Sequence, residues 1–596
     1  MSLLGGLPAR AGGTVTACTE TALRAAMAGG GTVTFACDGT IPLSDTIEIG
    51  TNTVLDGGGS QITISGGKAV RVFYVDTHVH FTLINLTIAD GQCDYGAGIY
   101  NDGGQLILER CRFSSNAAGG AGGVDTGAAA SAGGGAIYNL GALTADLCAF
   151  SYNSAQGGPG TPGSPWPVAN NGPGGPGNGG ALFNAGVAAV TASTLDSNRS
   201  AGGGGGDGGA GAYLHAVQCP PADGAGAADG GGGAIYNSGN LTLVNSTCTN
   251  NAAAGGPGGG GGWAELGGFG YYDGPGANGG PGGSGYGGAL YNAGLATIAS
   301  STLAGNSSAG GPGGSGGLGF SGGNGDQGGS GSGGAVYNSG TASLVNSTVT
   351  GNTSAGGAGG AGSKAGNGDG GNGAAGGPGV GGGISGPCFV TNCTLISNSA
   401  IGGVGGAGGS AFSSPYVDGL AGADGSAVGG GYYGATLVNS LLAADSPAGS
   451  TVSGTIDSSY NLYVGATAGV AGPLANNGGP TLTMALLPGS PAIDAADTAL
   501  APPTDQRGFP RPFGAAADIG AFEYGSWPLL SISQSQSGGF AIRAQGASGQ
   551  SCRLLTSTTL TNWAAVATNS IGQDGSLTFQ IDAGSDRQRF WRVVSP

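Results

Sequence analysis

Few residues in this 596-residue chain have the types and spacing that catalysis or metal binding requires. His78 and His80 alternate in the stretch THVHF, a spacing that places both imidazoles on one strand face, but no third metal ligand accompanies them. Arg110 and Arg112 are the only cations close together between residues 91 and 450, whereas a polysaccharide lyase needs a cationic base, often beside acidic calcium ligands. The acids of this region are scattered and do not form the paired carboxylates of a glycosidase. The sequence therefore predicts that the protein is not an enzyme and has no metal site and no cofactor.

Aromatic side chains are the second group that could act on a partner, because they stand in the middle of segments that are otherwise glycine. We expect them near the turning points of these segments, as a common strip at the tips of long loops. The strip either covers the glycine segments against water or contacts a glycan or another subunit, and both interpretations stay open here. The candidate binding or assembly residues are Trp166, Tyr213, Trp263, Phe269, Tyr271, Tyr272, Phe320, Phe412 and Tyr416.

Six glycine-rich inserts position these aromatics. In the fourth insert, glycine occupies every third position from Gly310 to Gly334, and the same period recurs in other inserts. A polyproline II helix has three residues per turn, so this period leaves one bare face against which another backbone can pack. We expect each insert to run out and back as two such arms, with N–H groups paired between neighbouring arms; floppy linkers are the alternative. The inserts span Gly157–Gly180, Gly202–Gly233, Gly255–Gly288, Gly310–Gly334, Gly356–Gly383 and Gly402–Gly431.

A repeat separates the inserts. Two of its copies are GGAIYNSGNLTLVNSTCTNN, which ends at Asn251, and GGALYNAGLATIASSTLAGN, which ends at Asn306. The short apolar alternations predict β-strands, and the Gly and Asn residues suit corners with left-handed backbone. One such unit cannot bury its own apolar side chains, whereas stacked units can, with strands about 4.8 Å apart. The sequence predicts an all-β protein: a right-handed parallel β-helix with the inserts stacked on one side.

Stacking in register places equivalent residues of successive copies above one another. The aromatic residue of each copy then forms one ladder, and the asparagine that follows it forms a second. The aromatic ladder is predicted to contain Tyr100, Tyr138, Phe183, Tyr236, Tyr291 and Tyr337, and the amide ladder Asn101, Asn139, Asn184, Asn237, Asn292 and Asn338.

The open ends of a β-helix must be covered. TETALRAAMAGG predicts an N-terminal amphipathic cap helix with Thr19 as its N-cap, and a small cap benefits from a disulfide between Cys18 and Cys37. The last residues alternate without glycine-rich loops, which predicts a small C-terminal β-sandwich. The predicted domains are the cap and first coils (1–90), the repeats with inserts (91–450), closing coils (451–525) and the sandwich (526–596).

Composition excludes several classes of partner. The net charge is −17 and there are only two lysines, so the chain lacks the basic clusters that nucleic acid requires. No run of 18 apolar residues occurs, so we expect no membrane insertion. The ten cysteines include no C-x-x-C pair; Cys93 and Cys111 flank a second predicted turn, and one or two disulfides in an oxidising compartment are expected.

Several stretches resemble known families. GGAI or GGAL followed by FSSN or FSYN resembles the paired motif of polymorphic outer-membrane protein adhesins of the chlamydial type, over residues 96–440. NNGGPTLTMALLPGSPAIDAA, TDQRGFPRP and ADIGAFEY resemble the C-terminal signature of secreted choice-of-anchor Q β-helix proteins. TLTNW and RQRFWRV resemble the small C-terminal β-sandwich of secreted Verrucomicrobia and Planctomycetes proteins. The glycine pattern is similar to that of glycine-rich insect antifreeze proteins and some phage adhesin tips.

The choice-of-anchor Q resemblance includes four charged residues that either hydrogen-bond the closing coil or belong to an active site, and the first role is expected. They are Asp494, Asp505, Arg507 and Glu523.

Together these features predict an extracellular or cell-surface structural or adhesive protein, a rigid solenoid that is secreted and either assembles head to tail with itself or binds surface glycans. A monomeric glycan-binding adhesin is one alternative. A polysaccharide-active β-helix enzyme is a second, and an ice-binding protein with rows of Thr, as in LVNST, is a third.

Overall fold

A computed structural model describes residues 12–123, 129–165, 168–169, 171–214, 217–265, 272, 274–447, 460–525, 529–534, 539–545, 549–559, 562–573, 575–581 and 589–594. In this part of the chain most strands stack in parallel in five long sheets, which close into a solenoid. From Gln105 to Tyr433, each coil passes through sheets 1, 2 and 3, then an insert, then sheets 4 and 5, whereas the earlier coils have no strand in sheet 4. The predicted right-handed parallel β-helix is confirmed.

Sheets 1 and 2 run along almost the whole solenoid. Sheet 1 contains Thr14–Val15, Gly31–Phe35, Thr53–Asp56, His80–Ile84, Gln105–Glu109, Ala142–Asp146, Val187–Thr191, Asn240–Val244, Leu295–Ala299, Thr341–Val345, Cys388–Thr391 and Thr436–Val438. Sheet 2 contains Gly39–Pro42, Ile62–Ser65, Thr87–Ala89, Arg112–Ser114, Ala149–Ser151, Thr194–Asp196, Thr247–Thr249, Thr302–Ala304, Thr348–Thr350, Thr394–Ile396, Leu441–Ala443 and Leu462–Val464.

Sheets 3 and 4 flank the inserts, and sheet 5 completes each coil. Sheet 3 contains Gln92–Cys93, Ala117–Gly119, Ser154–Gln156, Arg199–Ala201, Ala252–Ala254, Ser307–Ala309, Thr353–Ala355 and Ser399–Ile401. Sheet 4 contains Ala132–Gly133, Gly177–Asn178, Gly230–Gly231, Gly285–Tyr286, Gly331–Ser332, Gly379–Val380 and Ala427–Val428. Sheet 5 contains Ile47–Ile49, Phe73–Val75, Ile99–Asn101, Ile137–Asn139, Leu182–Asn184, Ile235–Asn237, Leu290–Asn292, Val336–Asn338, Ile384–Ser385 and Tyr432–Tyr433.

The coil interior is filled by alternate residues of these strands. In Asn240–Val244, Leu241 and Leu243 are buried, whereas Thr242 between them faces outward. The same alternation in each coil produces one continuous apolar column from the N-terminal cap to Leu442. Burial of this column is the main source of stability of the coils, because apolar area removed from water contributes about 25 cal/mol per Å².

Both predicted ladders are present in register. Consecutive rings of the aromatic ladder lie 4.4–5.1 Å apart, and Tyr74 adds a rung before Tyr100 at 5.3 Å. In the amide ladder, each Nδ2 donates to the Oδ1 of the next asparagine at 2.6–2.7 Å. The ladder asparagines are buried, so these bonds satisfy amides that water cannot reach.

A second amide ladder lies at the asparagine that ends each repeat copy. Each Nδ2 donates to the next Oδ1 at 2.9–3.1 Å, and the last acceptor is the carboxylate of Asp445. Burial raises the pKa of Asp445 to about 7, because the carboxylate stands where an uncharged amide would otherwise continue the ladder. The ladder runs through Asn116, Asn153, Asn198, Asn251, Asn306, Asn352 and Asn398.

The N-terminal end is covered as the sequence predicts. The helix Glu20–Met27 has Thr19 as its N-cap, whose Oγ1 accepts a hydrogen bond from Ala22 N at 3.3 Å. Leu23 is fully buried against the first coil. The predicted disulfide between Cys18 and Cys37 is present, with the two Cα atoms 5.8 Å apart.

At the other end, Leu462–Val464 continues sheet 2, and the chain then packs along the outside of the coils. It begins with the hairpin Ala471–Ala475 and Thr483–Leu486. Thr302 Oγ1 donates to Leu482 O at 2.6 Å, and Thr348 Oγ1 donates to Gln506 Oε1 at 2.7 Å. The sequence predicts closing coils here, whereas this flanking segment, residues 471–525, binds coils that precede it by up to about 200 residues.

Buried ion pairs hold the flanking segment together. Arg507 and Asp505 are 2.7 Å apart and Arg511 and Glu523 are 3.2 Å apart, with all four side chains almost fully buried. Burial raises the pKa of Asp518, which accepts a hydrogen bond from Asp494 N, to about 7. All four signature residues named from the sequence bond within the segment: Asp494, Asp505, Arg507 and Glu523.

The predicted C-terminal β-sandwich consists of two antiparallel sheets of three strands each in the described residues. One contains Leu529–Gln534, Phe540–Gln545 and Ser576–Ile581, and the other Ala564–Ser570, Ser551–Ser557 and Phe590–Val594. Their facing side chains form a separate apolar core that includes Ile542, Leu554, Phe579 and Val593.

Candidate contact surface at the insert tips

Every insert leaves from the end of sheet 3 and returns into sheet 4, so the inserts project from one side of the solenoid. A further insert between Gly119 and Ala132 precedes the six that the sequence predicts. Two inserts contain short hairpins of their own, Ser164–Pro165 with Val168–Ala169 and Ala212–Leu214 with Val217–Cys219. The stacked inserts are called the insert layer below.

Hydrogen bonds in the insert layer repeat every three residues. In the outgoing arm of the fourth insert, Gly313 N donates to Ala358 O of the next insert at 2.9 Å. Its neighbour Gly314 N donates at 2.8 Å to Gly280 O, which belongs to the returning arm of the preceding insert. The third residue of the triplet, Ser315, points to solvent. This arm thus has two bonded faces and one exposed face, which repeat every three residues.

The bonded faces exclude any side chain. A Cβ atom on Gly313 would overlap the carbonyl oxygen of Asp326, and one on Gly314 would overlap that of Gly259. Gly313 and Gly314 therefore cannot be replaced even by alanine, because neighbouring backbones are in direct contact. This packing explains the period that the sequence shows.

Acidic residues on the exposed face accept hydrogen bonds from the next insert. Asp207 Oδ1 accepts from Gly260 N at 2.8 Å, and Asp223 Oδ1 accepts from Asn278 N at 2.7 Å. Asp229 Oδ1 accepts from Ser284 N in the same way. These aspartates thus accept hydrogen bonds from backbone N–H groups at the third position of the glycine triplets. In the sequence they appear only as scattered acids.

The last insert ends the layer. In the preceding insert, the glycine at every third position of the returning arm donates its N–H to a carbonyl of the last insert. The residues of the last insert that are in register with these glycines lie at the outer edge of the layer, and they are Asp418, Ala421, Asp424 and Ala427. Asp424 Oδ1 accepts from Gly405 N at 2.8 Å, and Asp418 Oδ1 accepts from Ala411 N at 2.7 Å. The two carboxylates replace the carbonyls that another insert would supply, so the edge is closed by its own side chains.

The tips of four successive inserts meet. Tyr272 N donates to Asn367 Oδ1 at 3.3 Å, and the Tyr272 ring lies over Gly366. The Phe320 ring lies over Gly368 in the same tip. A Cβ on Gly366 would overlap the Tyr272 ring, and one on Gly368 would press on the Phe320 ring at 3.0 Å.

The sixth insert adds an aromatic contact to these tips, and the surface that contains Tyr272, Phe320 and Tyr416 is called the tip strip below. The rings of Phe320 and Tyr416 meet edge to face with centroids 6.2 Å apart. Both side chains are 39% exposed, whereas Phe412 and Trp263 are 57% and 62% exposed. The strip therefore presents aromatic surface to solvent at the far end of the insert layer.

The remaining predicted tip residues are not assigned to this strip. Trp166, Phe269 and Tyr271 lie outside the described residues. Tyr213 lies in the hairpin strand Ala212–Leu214.

Other candidate sites from the sequence are distributed differently. The strand in THVHF begins at His80, and His78 lies in the preceding turn with φ +64°, so the prediction that they alternate along one strand is wrong. Arg110 pairs with Glu109 at 3.3 Å and donates to Asn85 Oδ1 at 2.9 Å. Within the described residues, no group of three or more His, Cys, Asp or Glu could hold a metal ion.

The stacked threonines of sheet 2 form a row to which the flanking segment binds. Thr302, Thr348 and Thr394 are at most 2% exposed, because the flanking segment covers them. An ice-binding face requires exposed rows, so this part of the row is not available to ice.

No family model matches the chain, and no curated protein matches it. The resemblances to polymorphic outer-membrane protein adhesins and to choice-of-anchor Q proteins stay predictions. Among the described residues, no helix is long and apolar enough to span a membrane.

Proposed function

We propose that the protein is an extracellular structural or adhesive protein, a rigid rod that contacts glycans through the tip strip. Rigidity follows from two layers that share one axial repeat, since the strands of sheets 3 and 4 set the spacing of the inserts. The Cys18–Cys37 disulfide supports an extracellular setting, because disulfides persist in oxidising compartments.

The observation that carries the proposal is the contact between the exposed rings of Phe320 and Tyr416, which belong to different inserts. The C–H face of a sugar ring packs on an aromatic ring, and its hydroxyls bond to nearby amides and carboxylates. Asn367 and Asp369 supply such groups beside Tyr272 and Tyr416. A non-catalytic glycan contact fits this chemistry.

Filament growth through the insert layer is disfavoured by its closed edge. Asp418 and Asp424 are exposed and would place two carboxylates against the next molecule. The cap helix covers the opposite end of the coils. The rod is therefore proposed to act as a single molecule.

A panel of immobilised polysaccharides tests the proposal. We expect the full chain to bind at least one of them, and the triple variant Trp263→Ala, Phe412→Ala, Tyr416→Ala to bind at least about tenfold more weakly. Phe389→Ala is the matched control, because this ring is 63% exposed on sheet 1, away from the tips. Equal binding by the triple variant, or no binding of the wild type to any glycan, would refute the proposal.

A further inference from the structure

One ladder position in the coil interior carries a hydroxyl or thiol in eight successive coils. It lies five residues before the residue that each coil contributes to the second amide ladder, which is Asp445 in the last coil and asparagine in the others. Ser193 shows the bonding: its Oγ accepts from Cys148 N at 2.9 Å and donates to Thr191 O at 2.7 Å. The position is occupied by Cys111, Cys148, Ser193, Ser246, Ser301, Ser347, Cys393 and Ser440.

Cys111 and Cys148 are the first two rungs and stack directly on each other. The in-register pairs Glu109 with Asp146 and Arg112 with Ala149 enclose them on both sides. Strand spacing therefore sets their Cα atoms about 4.8 Å apart, inside the range of roughly 4.4–6.8 Å that disulfides adopt. Both side chains are buried, and each thiol donates to a backbone carbonyl: Cys111 Sγ to Leu83 O at 3.3 Å and Cys148 Sγ to Asp146 O at 3.2 Å.

Their surroundings make the two thiols unequal. The adjacent Cys148 thiol lowers the pKa of Cys111, whereas the adjacent Cys111 thiol and burial raise the pKa of Cys148. Because nucleophilic attack requires the thiolate, the thiol with the lower pKa, Cys111, is the better nucleophile of the pair.

We propose that Cys111 and Cys148 form a disulfide between neighbouring coils as the chain folds in an oxidising compartment. The Cys111 thiolate attacks an external disulfide, such as oxidised glutathione, and releases one thiol. Cys148 then loses its proton and attacks the mixed disulfide, which forms the Cys111–Cys148 bond and releases the second thiol. The two electrons and two protons of the pair thereby pass to the external disulfide.

The other described free cysteines of the coils lack this arrangement. Cys393 stands between Ser347 and Ser440 in the same ladder. Cys93 lies 3.2 Å from the guanidinium of Arg71, and the structure does not link it to Cys111, its neighbour in the sequence. Burial raises the pKa of Cys248 and Cys388 to about 12, which leaves these thiols unreactive.

Peptide mapping after oxidative refolding tests the proposal. The full chain is refolded with oxidised and reduced glutathione, alkylated in denaturant without reduction, and digested with trypsin. Cleavage at Arg110 and Arg112 releases the dipeptide Cys111-Arg112, and the next cleavage site is Arg199. We expect this dipeptide linked to the peptide 113–199, in which Cys148 is the single cysteine.

The peptides that contain Cys18 and Cys37 provide the internal control for oxidation. If these two are linked while Cys111 and Cys148 both carry the alkyl label, the proposal is wrong. This outcome is independent of where the protein functions and of any glycan binding.

Serine variants give a second readout. Cys111→Ser should melt several degrees below the oxidised wild type, because a cross-link that constrains the unfolded chain is lost. The fold should persist, since serine occupies the same ladder position in five other coils. Cys393→Ser is the matched control and should leave both the linked peptide and the melting temperature unchanged. Equal melting of Cys111→Ser and wild type would contradict a stabilising cross-link.

Discussion

The coils and the insert layer have the same axial repeat, but they are stabilised in opposite ways. The coils bury large apolar side chains in a continuous column. The layer buries backbone against backbone, with glycine where a side chain would stand. A net contribution of about 0.5–1.5 kcal/mol per hydrogen bond must there offset the large conformational entropy that glycine loses on ordering.

This comparison teaches that the layer depends on the coils. Each insert is anchored at both ends by strands of sheets 3 and 4, which hold successive arms at hydrogen-bonding distance. Anchoring reduces the entropy that the arms lose on ordering. We expect that the coils do not need the layer in return, because their apolar column contains no residue of sheets 3 and 4.

The largest expected effect comes from filling the bare faces. Gly319→Val, Gly322→Val and Gly325→Val together should disorder the insert layer, because each new side chain overlaps a neighbouring backbone. Overpacking costs about 1–3 kcal/mol per site, so the layer should lose several kcal/mol. Hydrogen exchange should show fast amides at residues 310–331 and unchanged protection in sheet 1.

The matched control places three valines on the exposed face of the same insert, as Pro312→Val, Ser315→Val and Gln327→Val. These changes should leave the amides protected. Equal loss of protection in both variants would show that the glycine faces have no special role. Melting of sheet 1 together with the layer would show that the coils depend on it.

A smaller effect is expected from the end of the second amide ladder. Asp445 has a pKa of about 7 in the fold and an ordinary Asp pKa of about 4 when unfolded. The folded state therefore binds this proton more tightly, so the contribution of Asp445 to the free energy of unfolding is largest below pH 4 and is lost as the pH rises above about 7. Asp445→Asn should remove this pH dependence and stabilise the coils at pH 8 by roughly 2–4 kcal/mol.

Chemical denaturation of wild type and variant at several pH values measures this effect. Asp196→Asn is the control, since this carboxylate lies outside the ladder and accepts bonds from Thr249 and Asn250. An unchanged difference between pH 4 and pH 8 in Asp445→Asn would contradict the prediction.

The smallest effect on stability is expected at the closed edge of the insert layer. Replacing Asp418, Ala421, Asp424 and Ala427 by glycine removes two side-chain caps, each worth about 1 kcal/mol. It also exposes a bare glycine face that can accept the insert of another molecule. Analytical ultracentrifugation should therefore detect self-association of the variant at concentrations at which the wild type is monomeric. A monomeric variant would show that the edge does not limit assembly.

Much of the fold could be predicted from the sequence, because its signals are periodic. The distance from the aromatic residue to the final asparagine of each copy sets the register of the ladders, as Tyr236 and Asn251 illustrate. The three-residue glycine period likewise predicts pairing between arms, since only a bare face allows it.

The tip strip could be predicted only in part. Aromatic residues in the inserts are visible in the sequence, but the contact of Tyr272 with Asn367 joins residues 95 positions apart. The glycines under the rings, Gly366 and Gly368, look like any other glycine of the layer. A missed signal did exist for the cysteine pair, because Cys111 and Cys148 each stand five residues before a ladder asparagine.

The sequence by itself determined the coil, the two predicted ladders, the cap helix with its disulfide and the glycine period, since each depends on residue types repeated at short, regular intervals. Only the tertiary structure decided that the flanking segment covers the threonine row. The hydrogen bond from Thr302 to Leu482, for example, joins residues 180 positions apart. The tertiary structure also decided that Asp418 and Asp424 close the layer, because only the stacking order shows that no described insert follows them. Contacts between distant segments depend on how the coils stack and where the chain turns back, which local periodicity does not encode.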